Sequence, residues 1–255
     1  EENFRVIARI DVKNEHLIKG IHFEGLRKIG IPNAFAKKYY QQGIDELFYL
    51  DLVASLYNRP FQEQLIRNAA KEIFVPFTVG GGVKSVYDVE RLLKCGADKV
   101  AINSHALLNP SLLSQAVKEF GSQCVVTSIE SKFIKLAFWE AYIFSGREAT
   151  GVNVLEWICE VQDRGVGEVI ITSIDKEGTM KGFDETLLEA VHEKCRVPLV
   201  FSGGYSKQDD LNCLMNKRVD GIAIGAAFHF NKANIFSIKK SMADKGYLVR
   251  PCHKT

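Results

Sequence analysis

No CxxC pair occurs among the six cysteines of this 255-residue chain, Cys95, Cys124, Cys159, Cys195, Cys213 and Cys252. The usual zinc-ribbon and dithiol-redox spacings are therefore missing. The thiols read as reduced core or surface groups of a cytoplasmic protein, and neither a metal nor a cofactor is expected. No apolar run approaches the roughly 20 residues of a membrane span. Nothing at the start reads as a signal peptide, and the Glu1 start leaves room for native residues before it. Charge of one sign is lacking too. Lys and Arg number 33 against 31 Asp and Glu, a formal net charge of +2. No bulk attraction to nucleic acid or to a membrane surface is expected. What is present is an ordinary globular composition, 46% hydrophobic and 25% charged, long enough for a sizeable α/β core.

Short apolar runs alternate with helical patterns. Strand candidates lie at 5–12 ("RVIARIDV"), 46–51, 75–80, 99–103, 124–130, 168–175, 198–203 and 220–226. Nearly all are β-branched and apolar throughout, as strands covered on both faces should be. Amphipathic stretches such as "SVYDVERLLKCG" and "NVLEWICEVQDRG" separate them, with Pro110, Gly96 and Gly165 as helix punctuation. Eight β–α units in this length predict a single (β/α)8 barrel domain over 1–255. A doubly wound open sheet is the competitor, but it usually has fewer strands. Two segments break the rhythm. Residues 13–31 read as a long polar loop, and 132–150 as a small hairpin. Both follow a strand, so both are expected on the catalytic face.

The chain repeats itself. "FTVGGGVKSVYDVERLLKCGADKVAIN" aligns without a gap on "VFSGGYSKQDDLNCLMNKRVDGIAIGAAF", Gly81 meeting Gly203 (203 − 81 = 122). The same offset carries Gly43 onto Gly165 and Glu46 onto Glu168. The barrel thus reads as two halves, about 1–122 and 123–246. Each half has a Gly-rich turn after a strand, and backbone N–H groups at such turns favour anions. Two of them across one mouth suit a substrate with a phosphate at each end. Tight turns without a ligand would use the same glycines.

Acidic residues end several strands. Asp11 and Glu130 close strands one and five, which face each other across an eight-stranded barrel. Asp51 and Asp175 lie at or near the ends of strands two and six, with Glu177 just beyond. Carboxylates at the ends of apolar strands are costly unless solvated or functional, and a pair sharing a pocket can divide acid and base roles. Strand-end solvation or helix capping is the alternative, and it is strongest for Asp51. Lys19 is either a lid residue closing on a phosphate or a solvated charge.

"RIDVKNEHLIKGIHFEGLRKIG", "DELFYLD", "TVGGGVKS", "GADKVAIN", "FGSQ", "TSIDKEGTMKGFD" and "SGG" together resemble the cyclase subunit of imidazole glycerol phosphate synthase, the HisF family, along essentially the whole chain. The resemblance implies a (β/α)8 barrel that takes ammonia from a separate glutaminase subunit, in a heterodimer. It joins the ammonia to a bisphosphorylated substrate, then cleaves and cyclises it. It also implies phosphate sites at Gly82, Asn103 and Ser104 in one half and Gly178, Gly204, Gly225 and Ala226 in the other, with Lys19 on the loop. It implies an ammonia gate of Arg5, Glu46, Lys99 and Glu168 at the barrel bottom, all four with the family's residues, although such a ring can also be a plain structural plug. The family's catalytic aspartates fall on Asp11 and Glu177, and a third on Glu130. Two of these are therefore lengthened by a methylene, about 1 Å of carboxylate displacement, a misplacement that can cost about a hundredfold in rate. The family's Gly-Asp-Pro reads Gly30-Ile31-Pro32, and a phosphate-side serine is Ala226. A paralogous branch that amidates surface-polysaccharide sugars stays open, as do a phosphoribosyl isomerase and a non-catalytic barrel that docks a glutaminase.

Overall fold

The protein is described here from a computed structural model covering residues 3–252. The strands in chain order are β1 (Arg5–Lys13), β2 (His16–Ile21), β3 (Glu24–Gly30), β4 (Glu46–Asp51), β5 (Phe77–Gly80), β6 (Lys99–Ile102), β7 (Val125–Lys135), β8 (Phe138–Ile143), β9 (Glu148–Asn153), β10 (Glu168–Ser173), β11 (Leu199–Ser202) and β12 (Gly221–Ile224). The helices are α1 (Pro32–Gln41), α2 (Glu63–Ala70), α3 (Val86–Lys94), α4 (Ser104–Leu108), α5 (Ser111–Phe120), α6 (Val154–Asp163), α7 (Glu185–Val191), α8 (Ala226–His229) and α9 (Ile235–Asp244). Strands β1, β4, β5, β6, β7, β10, β11 and β12 pair in parallel in that order, and β12 returns to β1. This is a closed (β/α)8 barrel.

Sequence pattern explains both layers of core. Alternate residues of a strand face opposite sides. Ile7, Phe48, Val126, Ile170, Val200 and Ala223 pack together inside the barrel. Their neighbours Val6, Ala8, Ile10, Leu47 and Val169 belong to the outer core beneath the helices. The helices bury one stripe each. In α3 it is Val89 and Leu92, and the Ser85 side chain caps the first turn by accepting from the Asp88 amide.

Residues related by the 122-residue offset make matching contacts. β4, β5 and β6 correspond to β10, β11 and β12, with Glu46 against Glu168, Thr78 against Val200 and Ala101 against Ala223. The Asp98 carboxylate accepts from the Phe77 amide, and its mate Asp220 accepts from the Leu199 amide. Asp88 accepts from the Lys84 amide and the Ser85 hydroxyl; Asp210 does the same for the Ser206 and Lys207 amides and the Ser206 hydroxyl. Strand register makes Asp11 and Glu130 mates as well: Asp11 lies opposite Leu50, and Glu130 opposite Thr172.

One expectation needs correcting. Residues 13–31 are not a polar loop. β1 continues into an antiparallel ribbon of β2 and β3, and Leu17, Ile18, Lys19 and Phe23 are buried. Leu17 and Ile18 supply apolar area to fix the ribbon, and Phe23 packs with the bore residues. The expected hairpin at 132–150 is present, formed by the end of β7 with β8 and extended by β9.

Candidate active site at the barrel mouth

The bore is lined by charge at both ends. At the strand starts, Arg5 reaches Glu46 at 2.9 Å and Glu168 at 2.6 Å, while Lys99 reaches Glu46 at 2.5 Å and Glu168 at 3.1 Å. Four side chains from four strands thus close a ring in which each carboxylate meets both cations. Thr78 donates a further hydrogen bond to Glu46 at 2.8 Å. The four predicted gate residues are brought together.

At the strand ends the charges are less even. Asp11 is buried, and its two oxygens accept from Arg9 Nε at 2.8 Å and Lys19 Nζ at 2.7 Å. Lys19 also pairs with Glu177. It is not a solvated charge: its ammonium is buried between two carboxylates. Burial alone would raise the Asp11 carboxyl. The Arg9 and Lys19 cations outweigh that and draw it down to about 2. Glu130 has no cation on its oxygens. Its Oε2 accepts from the Gly146 amide at 2.8 Å, and burial pushes the group up to about 7 despite that bond and the pull of Arg9. The mouth therefore holds one carboxylate fixed as an anion by two cations and one that keeps a proton near neutrality. Two environments have pushed the two carboxyls apart.

Flanking these groups are two clefts. One is lined by Gly81, Gly82, Asn103, Ser104, Ser128 and Glu130. The other is lined by Glu177, Gly178, Gly203, Gly204, Gly225 and Ala226. Gly81 and Gly203 are mates, as are Gly82 and Gly204, Asn103 and Gly225, and Ser104 and Ala226. Their backbones agree: φ is 105° at Gly81 and 103° at Gly203, a region that disfavours side chains. A Cβ at Gly204 would also lie 2.1 Å from the Gly182 carbonyl oxygen. Not every amide is free, since the Gly82 N–H already donates to Ser55 Oγ at 3.0 Å. Asp51 behaves as a cap, accepting from the Val53 and Ala54 amides and pairing with Arg59. Asp175 accepts from the Phe133 amide on the hairpin. Asp51 nonetheless lines the first cleft, while Asp175 lines neither.

A sequence profile described as "Histidine biosynthesis protein" matches residues 5–234. A protein of Legionella pneumophila is 50% identical over 210 residues, covering 82% of this chain and 99% of its own length. One from Streptococcus sanguinis is 41% identical over 96% of this chain and 98% of its own. The chain belongs to the histidine biosynthesis family. Both relatives, and a 39%-identical protein of Thermococcus onnurineus, are named imidazole glycerol phosphate synthase subunit HisF. The family membership makes this chain a HisF-type subunit and weakens the sugar-amidating reading.

Arg9 opens the family-like stretch "RIDVK", yet sequence reading gave it no role. Its signal was available: in "RVIARID" the inward positions are Arg5, Ile7, Arg9 and Asp11, so a cation in the middle of an apolar strand had to point into the bore. Among the described residues, no His, Cys, Asp and Glu group is arranged to hold a metal ion, and no helix is long and apolar enough to cross a membrane.

Proposed function

We propose that this chain is the ammonia-using cyclase subunit of an imidazole glycerol phosphate synthase. Its substrate is a bisphosphorylated aminoimidazole carboxamide ribulosyl compound, and its partner is a glutaminase docked on the strand-start face. The observation that carries the reading is the unlike pair of carboxylates, Asp11 and Glu130, between two matching Gly-rich clefts. Condensing ammonia with a carbonyl requires that nitrogen lose protons and that oxygen leave as water. Asp11, ionised by its two cations, takes the proton from nitrogen. Glu130, still protonated near neutrality, delivers one to the departing oxygen. Glu177 acts on the opposite side through Lys19, which it shares with Asp11.

The clefts hold the two phosphates, one on Gly82, Asn103 and Ser104, the other on Gly178, Gly204, Gly225 and Ala226. Duplication of the half-barrel explains why they match. The ring of Arg5, Glu46, Lys99 and Glu168 admits ammonia from below. Six free thiols suit a reducing compartment, the cytoplasm. A phosphoribosyl isomerase would share the clefts but has no use for such a ring.

The test is formation of imidazole glycerol phosphate by purified protein with excess ammonium salt at mildly alkaline pH, where free ammonia replaces the partner while a fraction of Glu130 keeps its proton. Product is expected, and Glu177→Asp should keep or raise the rate. If neither protein makes product while both bind substrate, the reading is wrong and sugar amidation becomes the better one.

A further inference from the structure

Arg9 is among the largest fully buried side chains, 1% exposed. It starts on β1 and does not stay there. Its Nε donates to Asp11 on the same strand, and its Nη1 donates to Thr172 Oγ1 at 2.8 Å. Thr172 belongs to β10, which pairs with β7 and β11 and not with β1. To reach it, the guanidinium must cross the interior of the barrel. It also lies 5.8 Å from the centre of the Phe48 ring on β4 and 5.2 Å from that of Phe23 on the β2–β3 ribbon. One side chain therefore links β1 and its neighbour β4 to the distant β10 and to the covering ribbon.

Its height in the bore matters as much. Along β1 the inward residues run Arg5, Ile7, Arg9, Asp11, so Arg9 stands between the four-residue ring and the carboxylates. Its Nη2 is buried and has no hydrogen-bond partner. An unmet guanidinium N–H is a costly thing to keep in a dry interior. It can donate to a small neutral acceptor with one lone pair, which ammonia is. It repels ammonium, because like charges in a poorly solvated bore interact strongly.

We propose that Arg9 is an inner gate: a crossbar between β1 and β10 that ammonia from the glutaminase must pass to reach Asp11, and that passes only the neutral form. The inference rests on the ammonia-using reading above. Arg9 is thus a positioning and gating residue, and Thr172 is its far latch.

Two sources of nitrogen separate gating from simple support of Asp11. Glutamine-derived ammonia enters from the ring side and meets the crossbar. Ammonia from salt also has the mouth. The experiment compares cyclase turnover of the complex with its cognate glutaminase on glutamine and on ammonium salt, for wild type, Arg9→Lys and Thr172→Val. Lysine keeps a cation beside Asp11 but lacks the fork that spans to β10. Valine removes the latch without changing shape or charge. In both variants the glutamine-to-ammonium rate ratio should rise roughly threefold or more, because the gated step is relieved on one route only. Both rates falling together, with the ratio unmoved, would overturn the gate and leave Arg9 as a counter-ion of Asp11. A wild-type complex that makes no product from either source would overturn the underlying reading and the gate with it.

Discussion

The two ends of the bore carry similar residues and do different things with them. The lower ring sets two cations against two carboxylates, and every carboxylate meets both cations. The upper cluster sets Arg9 and Lys19 against Asp11, Glu177 and Glu130, and it leaves Glu130 without a cation. Balanced charge makes a closure in which every charge has its partner. One carboxylate in excess, in the same low-dielectric interior, makes a group that holds a proton near neutral pH. The contrast is one of count and placement rather than of residue type.

Breaking the upper cluster at its most strongly paired member should have the largest effect. Asp11→Asn is expected to lower ammonium-driven kcat by about 10²–10⁴, the weight of a positioned acid–base group. Near-normal turnover would remove Asp11 from the mechanism.

Glu130→Gln tests the odd charge itself. Turnover should fall by about 10², at the lower end of that range. Wild-type glutamine-driven activity should also decline as pH rises through about 7, where Glu130 loses its proton. A wild-type profile flat across that pH would sink the donor role. The same group has a signature in stability. Its carboxyl is raised in the fold from 4.5 to about 7, so its contribution is fully present below pH 4.5 and is lost as pH rises through 7. Asp11 has the opposite sign: lowered from 3.8 to about 2, it stabilises above pH 3.8 and gives that up as pH falls through 2. Urea unfolding of Glu130→Gln should show a flatter profile between pH 4.5 and 7 than wild type, by up to about 3 kcal/mol.

Lys99→Met opens the lower ring. Glu46, 1% exposed, then keeps only Arg5 and Thr78. A loss of about 1.5–3 kcal/mol in urea unfolding is expected, the size of one charged hydrogen bond. Ammonium-driven kcat should stay near wild type. A comparable fall in that kcat would mean that the two ends of the bore are not separate devices.

The smallest expected effect lies between the two clefts. Ser104 has a hydroxyl where its mate Ala226 has none. Ala226→Ser should tighten a bisphosphorylated ligand by about 0.5–1.5 kcal/mol, one ordinary hydrogen bond, in a calorimetric titration. No gain, with Ser104→Ala also silent, would show that backbone amides alone carry the phosphates.

Much of this was legible beforehand because it rests on short-range pattern. The period of two in "RVIARIDV", the double glycines and the 122-residue repeat each express a local rule of backbone geometry, so the barrel and the two clefts could be read from sequence. The ribbon at 13–31 could not, because its many charges read as loop. Leu17, Ile18 and Phe23 bury it in the core, with Leu26 and Ile29 packed beside them.

By itself, then, the sequence determined the eight barrel strands, the faces they show and where the glycines turn. Tertiary structure alone decided that Lys19 lies between Asp11 and Glu177, that Glu130 finds an amide instead of a cation, and that Arg9 reaches Thr172. Lys19–Glu177 and Arg9–Thr172 join residues far apart in the chain, and how the closed barrel staggers its strands decides whether they meet; Glu130 and Gly146 meet only because the hairpin after β7 folds back. Pairing energies and proton affinities follow distance and burial, which no run of letters contains.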